Sequence, residues 1–184
     1  MSNRDTDKGF SLSEMCIACL IMATMTAMAI PIMNSAFRGS NADAAAKLIS
    51  QQLLYARSLA VGTHQPVLVQ FESAARTIVV APGTGSARGP FVLPGKMQLQ
   101  PDSIDPENPD NLGGNVLGAG GAEQVYFLDN GSAVDSPATN NILSGTIFLQ
   151  HENGDADTRR AITLMGGTGR IHIWRYDTDT GNWK

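Results

Sequence analysis

The sequence predicts an α+β chain: one long N-terminal helix, membrane-spanning in its first half, with its second half packed on one or two antiparallel β-sheets. Three observations carry this. From Met15 to Met33 no residue is charged. The stretch "NADAAAKLISQQLLYARSLAVGTHQP" has no proline before its last residue and keeps an apolar stripe at helical spacing. Beyond Pro66, short β-rich runs follow one another between turn residues without an intervening helical pattern, which implies antiparallel pairing.

The totals fit one domain of ordinary size plus an appendage: 184 residues with a net charge of −4. An acidic total opposes unselective nucleic-acid binding, which needs a basic face to displace counterions, and leaves only a local basic patch open. Both cysteines, Cys16 and Cys19, lie inside the apolar run. Spaced by three, they share one helix face and read as small apolar side chains. With none after Met33, that region has no disulfide framework and no cysteine-based zinc site.

The first element is the apolar run. It is long enough to cross a bilayer core, which takes about 20 helical residues. A cleaved signal peptide would have a basic head, a shorter apolar middle and a small-residue cleavage site. Here the head "MSNRDTDKG" is mixed in charge and no A-x-A site closes the run, so a retained membrane helix is expected. Glu14 sits at its start. A carboxylate entering hydrocarbon costs about 2.5–3.5 kcal/mol even on the milder scales, so a partner for it is expected.

The context "KGFSLSE" puts Gly9 before Phe10 and makes Glu14 the fifth residue counted from Phe10. This resembles the processing site of type IV prepilins and type II secretion pseudopilins. The resemblance implies that a dedicated prepilin peptidase cuts between Gly9 and Phe10 and methylates the new N-terminus at Phe10. It also implies that Glu14 of one subunit pairs with the N-terminal ammonium of a neighbour during assembly. Pro31, 21 residues beyond Phe10, matches a position where such helices often carry a proline. It removes a backbone donor to the carbonyl of Ala27 and permits a kink.

The helix is expected to continue to about Val61, ended by Gly62 and Pro66, for a length of about 75 Å at 1.5 Å per residue. Ala45, Leu48, Ile49, Gln52, Leu53, Ala56, Leu59 and Ala60 form its stripe, with Lys47, Ser50, Gln51, Arg57 and Ser58 largely opposite. Packing on a sheet is expected. "PVLVQF" and "TIVV" read as a hairpin, and "FVLP" and "KMQLQ" as a further short pair. "QVYFL", "GTIFLQ", "AITLM" and "GRIHIW" read as later strands, with "DNG" at Asp129–Gly131 as a tight turn. The order of "YARSLAVGTHQPVLVQF", "VYFLDNGSA", "GTIFLQ" and "AITLMGGTGRIHIW" is similar to that of GspH/FimT-like minor pseudopilins. The departure is residues 101–121, dense in Pro, Gly, Asp and Asn, which read as an exposed loop insertion.

Catalytic and cofactor motifs are not found. His64, His151 and His172 fall on separate elements, and the Gly-rich turns lack the Gly-Lys-Ser/Thr of a phosphate loop. No cofactor and no enzymatic activity are expected. Calcium is a weak candidate in two places: Asp102, Asp105, Glu107 and Asp110 in the insertion, and Asp177 with Asp179 near the C-terminus. Neither meets the pattern of a calcium loop. Certain minor pilins similar to this chain take up DNA through basic residues near a Gly-Arg element, which makes Arg170, Arg175, Arg159 and Arg160 DNA candidates here. Strand-edge charges in solvent are the plainer reading of all four.

The expected organisation is a leader over 1–9, a transmembrane and assembly helix over 10–33, its periplasmic half over 34–62 and a β-rich globular domain over 63–184. The resemblance implies a structural subunit of a type II secretion pseudopilus or a type IV pilus. It would sit as a single-pass protein in a bacterial inner membrane, its globular domain periplasmic. Its partners would be other pilins or pseudopilins, the prepilin peptidase and an inner-membrane assembly platform. The alternative is a DNA-binding minor pilin.

Overall fold

The computed structural model describes residues 11–100, 109–110 and 123–184, the side chains at 31, 32 and 100 excepted. The chain divides into two compact units, Met1–Phe37 and Arg38–Lys184. Helix α1, Leu12–Thr63, contributes to both.

In the first unit, every described side chain of α1 is exposed. The segment is long and apolar enough to cross a membrane. Its two threonines satisfy their hydroxyls locally: Thr24 Oγ1 donates to the Ile21 carbonyl at 2.8 Å and Thr26 Oγ1 to that of Met22 at 2.7 Å. Such back-bonding lets a hydroxyl sit on an apolar helix without an open donor. The helix runs on through position 31.

In the second unit, α1 buries Ala42, Ala45, Ala46, Ile49, Leu53, Ala56 and Ala60. The small residues let the helix come close, and Ile49 and Leu53 fill what remains. Full burial of each of those two is worth about 1.5–3 kcal/mol. The helix closes at Thr63, and the left-handed position after it is taken by His64 (φ 55°) rather than by Gly62.

Two five-stranded antiparallel sheets cover this face. The first comprises β1 (Val67–Glu72), β2 (Thr77–Pro82), β3 (Arg88–Val92), β5 (Gln124–Phe127) and β6 (Ala133–Val134), in the order β3-β2-β1-β5-β6. The second comprises β4 (Met97–Gln100), β7 (Gly145–His151), β8 (Arg160–Met165), β9 (Arg170–Asp177) and β10 (Asn182–Trp183), in the order β10-β9-β8-β7-β4. Alternation sets their inner faces: Val67, Val69 and Phe71 on β1, Ile162 and Leu164 on β8. These residues join the helix stripe in one core. A smaller cluster lies on the opposite face of the second sheet, where Trp174 and Trp183 pack on buried Phe148 and Ala161.

The expected pairing of "FVLP" with "KMQLQ" does not form. Strand β3 pairs with β2, whereas β4 pairs with β7 in the other sheet. Between them Pro94, Gly95 (φ 63°) and Lys96 (φ 59°) redirect the chain from one sheet to the other. An ion-pair bridge crosses the same boundary: Glu152, after β7, takes Lys96 at 2.5 Å and Arg76, from the β1–β2 turn, at 3.4 Å. The Lys96 hydrogen bond, ahead of the other influences, holds the Glu152 carboxyl below its usual range.

Arg57 also departs from expectation. Placed opposite the stripe by spacing, it is half-buried, and its Nε donates to the Gly131 carbonyl at 3.2 Å. The "DNG" turn that presents this carbonyl is closed by Gly131 N–H to the Leu128 carbonyl at 2.9 Å, with Gly131 at φ 79°.

Candidate assembly segment and charged strand surface

At the start of α1, Ser11 and Glu14 form a reciprocal capping box. The Ser11 backbone N–H and hydroxyl donate to Glu14 Oε2 at 2.9 and 3.0 Å, and the Glu14 N–H donates back to Ser11 Oγ at 3.3 Å. Two helix-terminal donors are satisfied at once, and the acid lies at the end of the helix dipole that favours it. Within one chain, then, Glu14 has a local partner. Both of the bonds that Ser11 donates go to Oε2. The S-x-x-E spacing was the signal for this cap, and reading Glu14 only as a membrane acid passes over it. Gly9 and Phe10 lie outside the described residues, as does the side chain of Pro31.

The four candidate arginines diverge. Arg160 is not a solvated edge charge: it is 1% exposed. Its Nε donates to Asp43 Oδ1 at 2.6 Å, and its Nη1 donates to the carbonyls of Asp157 and Arg159, each at 2.8 Å. It ties α1 to the second sheet, and its burial keeps it from an external phosphate. The Arg159 guanidinium lies over the Tyr176 ring, 5.5 Å from its centroid. Arg170 and Arg175 are both exposed, but five residues apart on one regular strand they point to opposite faces of the sheet. The fold does not gather them into one basic patch.

The acidic candidates are likewise not assembled. Asp102, Asp105 and Glu107 lie outside the described residues. Asp110 accepts from the Thr163 hydroxyl at 2.6 Å. Asp177, at the β9–β10 turn, is ion-paired with Lys184, accepts from Thr180 Oγ1 at 2.8 Å and from the Asp179 N–H at 3.1 Å. These bonds, that from Lys184 foremost, pull its carboxyl down to about 2. A lysine ammonium occupies the place a cation would take. Among the described residues, no three His, Cys, Asp or Glu side chains are grouped to hold a metal ion. An open cleft of about 330 Å³ lies beside this turn, lined by Asp157, Arg175, Tyr176 and Asp177 through Asp179. Of the histidines, His151 is buried at the end of β7, His64 is exposed beyond α1 and His172 is half-buried on β9; the three do not meet.

No family model matches the chain, and no curated protein matches it. Among solved structures it is similar to the type IV minor pilin FimU of Pseudomonas aeruginosa, seen in two crystal forms. Each is 20% identical over 71% of this chain, covering 86% and 90% of theirs, with TM-scores of 0.47 and 0.46. It is similar also to the minor pseudopilin EpsH of the Vibrio cholerae Type 2 Secretion System. There the identity is 13% over 73% of this chain and 97% of that one, with a TM-score of 0.48.

Proposed function

We propose that this chain is a minor pilin or pseudopilin, a non-enzymatic subunit that assembles through its N-terminal helix into a type IV pilus or a type II secretion pseudopilus. The single observation behind this is the character of α1. One 52-residue helix joins an apolar segment, uncharged from Met15 to Met33 and exposed at every described side chain, to a segment that is the spine of a β-rich unit. A peptidase cut between Gly9 and Phe10 frees an α-ammonium at Phe10. Glu14 of a neighbouring subunit neutralises it, and each charge lowers the cost of burying the other. The inner membrane holds the subunit before assembly, with the globular unit in the periplasm and an assembly platform beneath. The divergence of the arginines weighs against the DNA-uptake alternative.

N-terminal mass spectrometry on protein from its native envelope tests the reading. A mature terminus at methylated Phe10 is expected, and an intact Met1–Gly9 leader would sink the proposal. Glu14→Ala is expected to be cleaved normally yet lost from filaments. Normal incorporation of that variant would refute the pairing role.

A further inference from the structure

The face of the second sheet turned away from the core carries a row of side chains that assembly through the helix does not use. Because β9 alternates, Arg170, His172, Trp174 and Tyr176 stand side by side on that face, over roughly 20 Å of strand. Trp183, paired in register with Tyr176, extends the row onto β10. The rings touch edge to face: His172 with Trp174 at 4.4 Å between centroids, Tyr176 with Trp183 at 5.3 Å.

Beside Arg170 and His172 lies a small cleft of about 60 Å³, completed by Asp110, Thr163 and Met165. The Trp174 indole donates to Thr163 Oγ1 at 3.1 Å, and Thr163 donates in turn to Asp110 at 2.6 Å. His172 Nδ1 and Trp183 Nε1 are both shielded from solvent without a hydrogen-bond partner among the described residues. Among the described residues, the face therefore joins aromatic surface to one exposed cation, Arg170, and one carboxylate, Asp110.

Chemistry narrows the ligand. A polyanion would meet Asp110 beside Arg170, with the next guanidinium of the row, Arg159, at its far end over Tyr176; that is no groove for a phosphate backbone. A purely apolar partner would strip water from Arg170 and Asp110 and return no hydrogen bonds. A neutral polyhydroxylated ring answers both demands. Its hydroxyls accept from Arg170 and donate to Asp110, while its C–H faces lie on indole and phenol rings, whose faces carry partial negative charge. We propose that this row is a binding face for a neutral oligosaccharide, with Arg170, His172 and Asp110 reading hydroxyls and Trp174, Tyr176 and Trp183 forming the platform.

The chain has two tryptophans and both belong to this face, so intrinsic fluorescence reports on it directly. Full-length protein in a sugar-free detergent is titrated with cellotetraose, maltotetraose, mannotetraose and chitotetraose, and separately with an oligothymidine strand. A saturable, salt-insensitive change in emission with at least one sugar is expected. Arg170→Ala should weaken it by about tenfold or more, the equivalent of one hydrogen bond to a charged group, and His172→Ala should weaken it as well. Arg175→Ala, on the opposite face, should leave it unchanged, and thermal melts establish that each variant is folded. No saturable response to any of the four sugars overturns the proposal. So does a salt-sensitive response to oligothymidine alone, or a sugar response equally weakened by Arg175→Ala.

Discussion

Arg160 and Asp177 show how differently a charge is handled inside this unit and at its surface. Arg160 is enclosed, so its charge must be answered by Asp43 and by two backbone carbonyls. Removing the carboxylate leaves a guanidinium that is only 1% exposed without its ionic partner. Asp43→Ala is expected to cost about 2 kcal/mol, as for a lost hydrogen bond to a charged group, and Asp43→Asn less; urea unfolding of both measures it. Asp177 is a pH question. With its folded value at about 2, below the ordinary 3.8, it contributes stability above the ordinary value. That contribution fades as pH falls through the window from about 4 to about 2. Lys184→Ala removes the foremost cause, so its melting temperature should fall less steeply over that window than that of the parent. Parallel slopes would show that Lys184 does not hold the proton off.

Among the elements, the β8–β9 hairpin is tightly constrained at its turn. Gly169 sits at φ 62°, and a Cβ there would run into the Gly131 carbonyl and the Arg57 side chain. Gly169→Ala combines a left-handed backbone, about 1–2 kcal/mol for an L-residue, with overpacking of about 1–3 kcal/mol. A loss of about 3 kcal/mol is expected in urea unfolding, part of it recovered in an Arg57→Ala background, where one of the two obstacles is gone. This hairpin also marks where sequence reading succeeds and stops. The helix, its stripe and the longer strands were legible because each repeats a local period. The two-residue strands β6 and β10 were not, since two residues carry no period. Neither was the split of β3 and β4 between sheets, which turns on two left-handed residues at Gly95 and Lys96. At the candidate site, the Glu14 cap was written in the spacing of Ser11 and Glu14. The burial of Arg160 was not, because its partner Asp43 lies 117 residues away in sequence.

At the scale of the whole molecule, α1 answers to two solvents. Its first segment shows Leu20, Met22, Met25 and Met28 at 67–74% exposure, surface that water does not favour and that a bilayer or a bundle of like helices does. Its second segment spends its apolar residues on the core of Arg38–Lys184. Among the described residues that unit holds the strands, the Arg160–Asp43 tie and the Arg38–Asp155 ion pair at 2.9 Å. A chain beginning at Arg38 is therefore expected to stay monodisperse without detergent and to melt in one cooperative transition. The full chain is expected to need detergent or lipid to remain dispersed. Sedimentation and circular dichroism on the two forms decide the matter. A shortened chain that aggregates, or that keeps secondary structure without a cooperative melt, would mean that the first segment of α1 belongs to the folding unit and is more than its anchor.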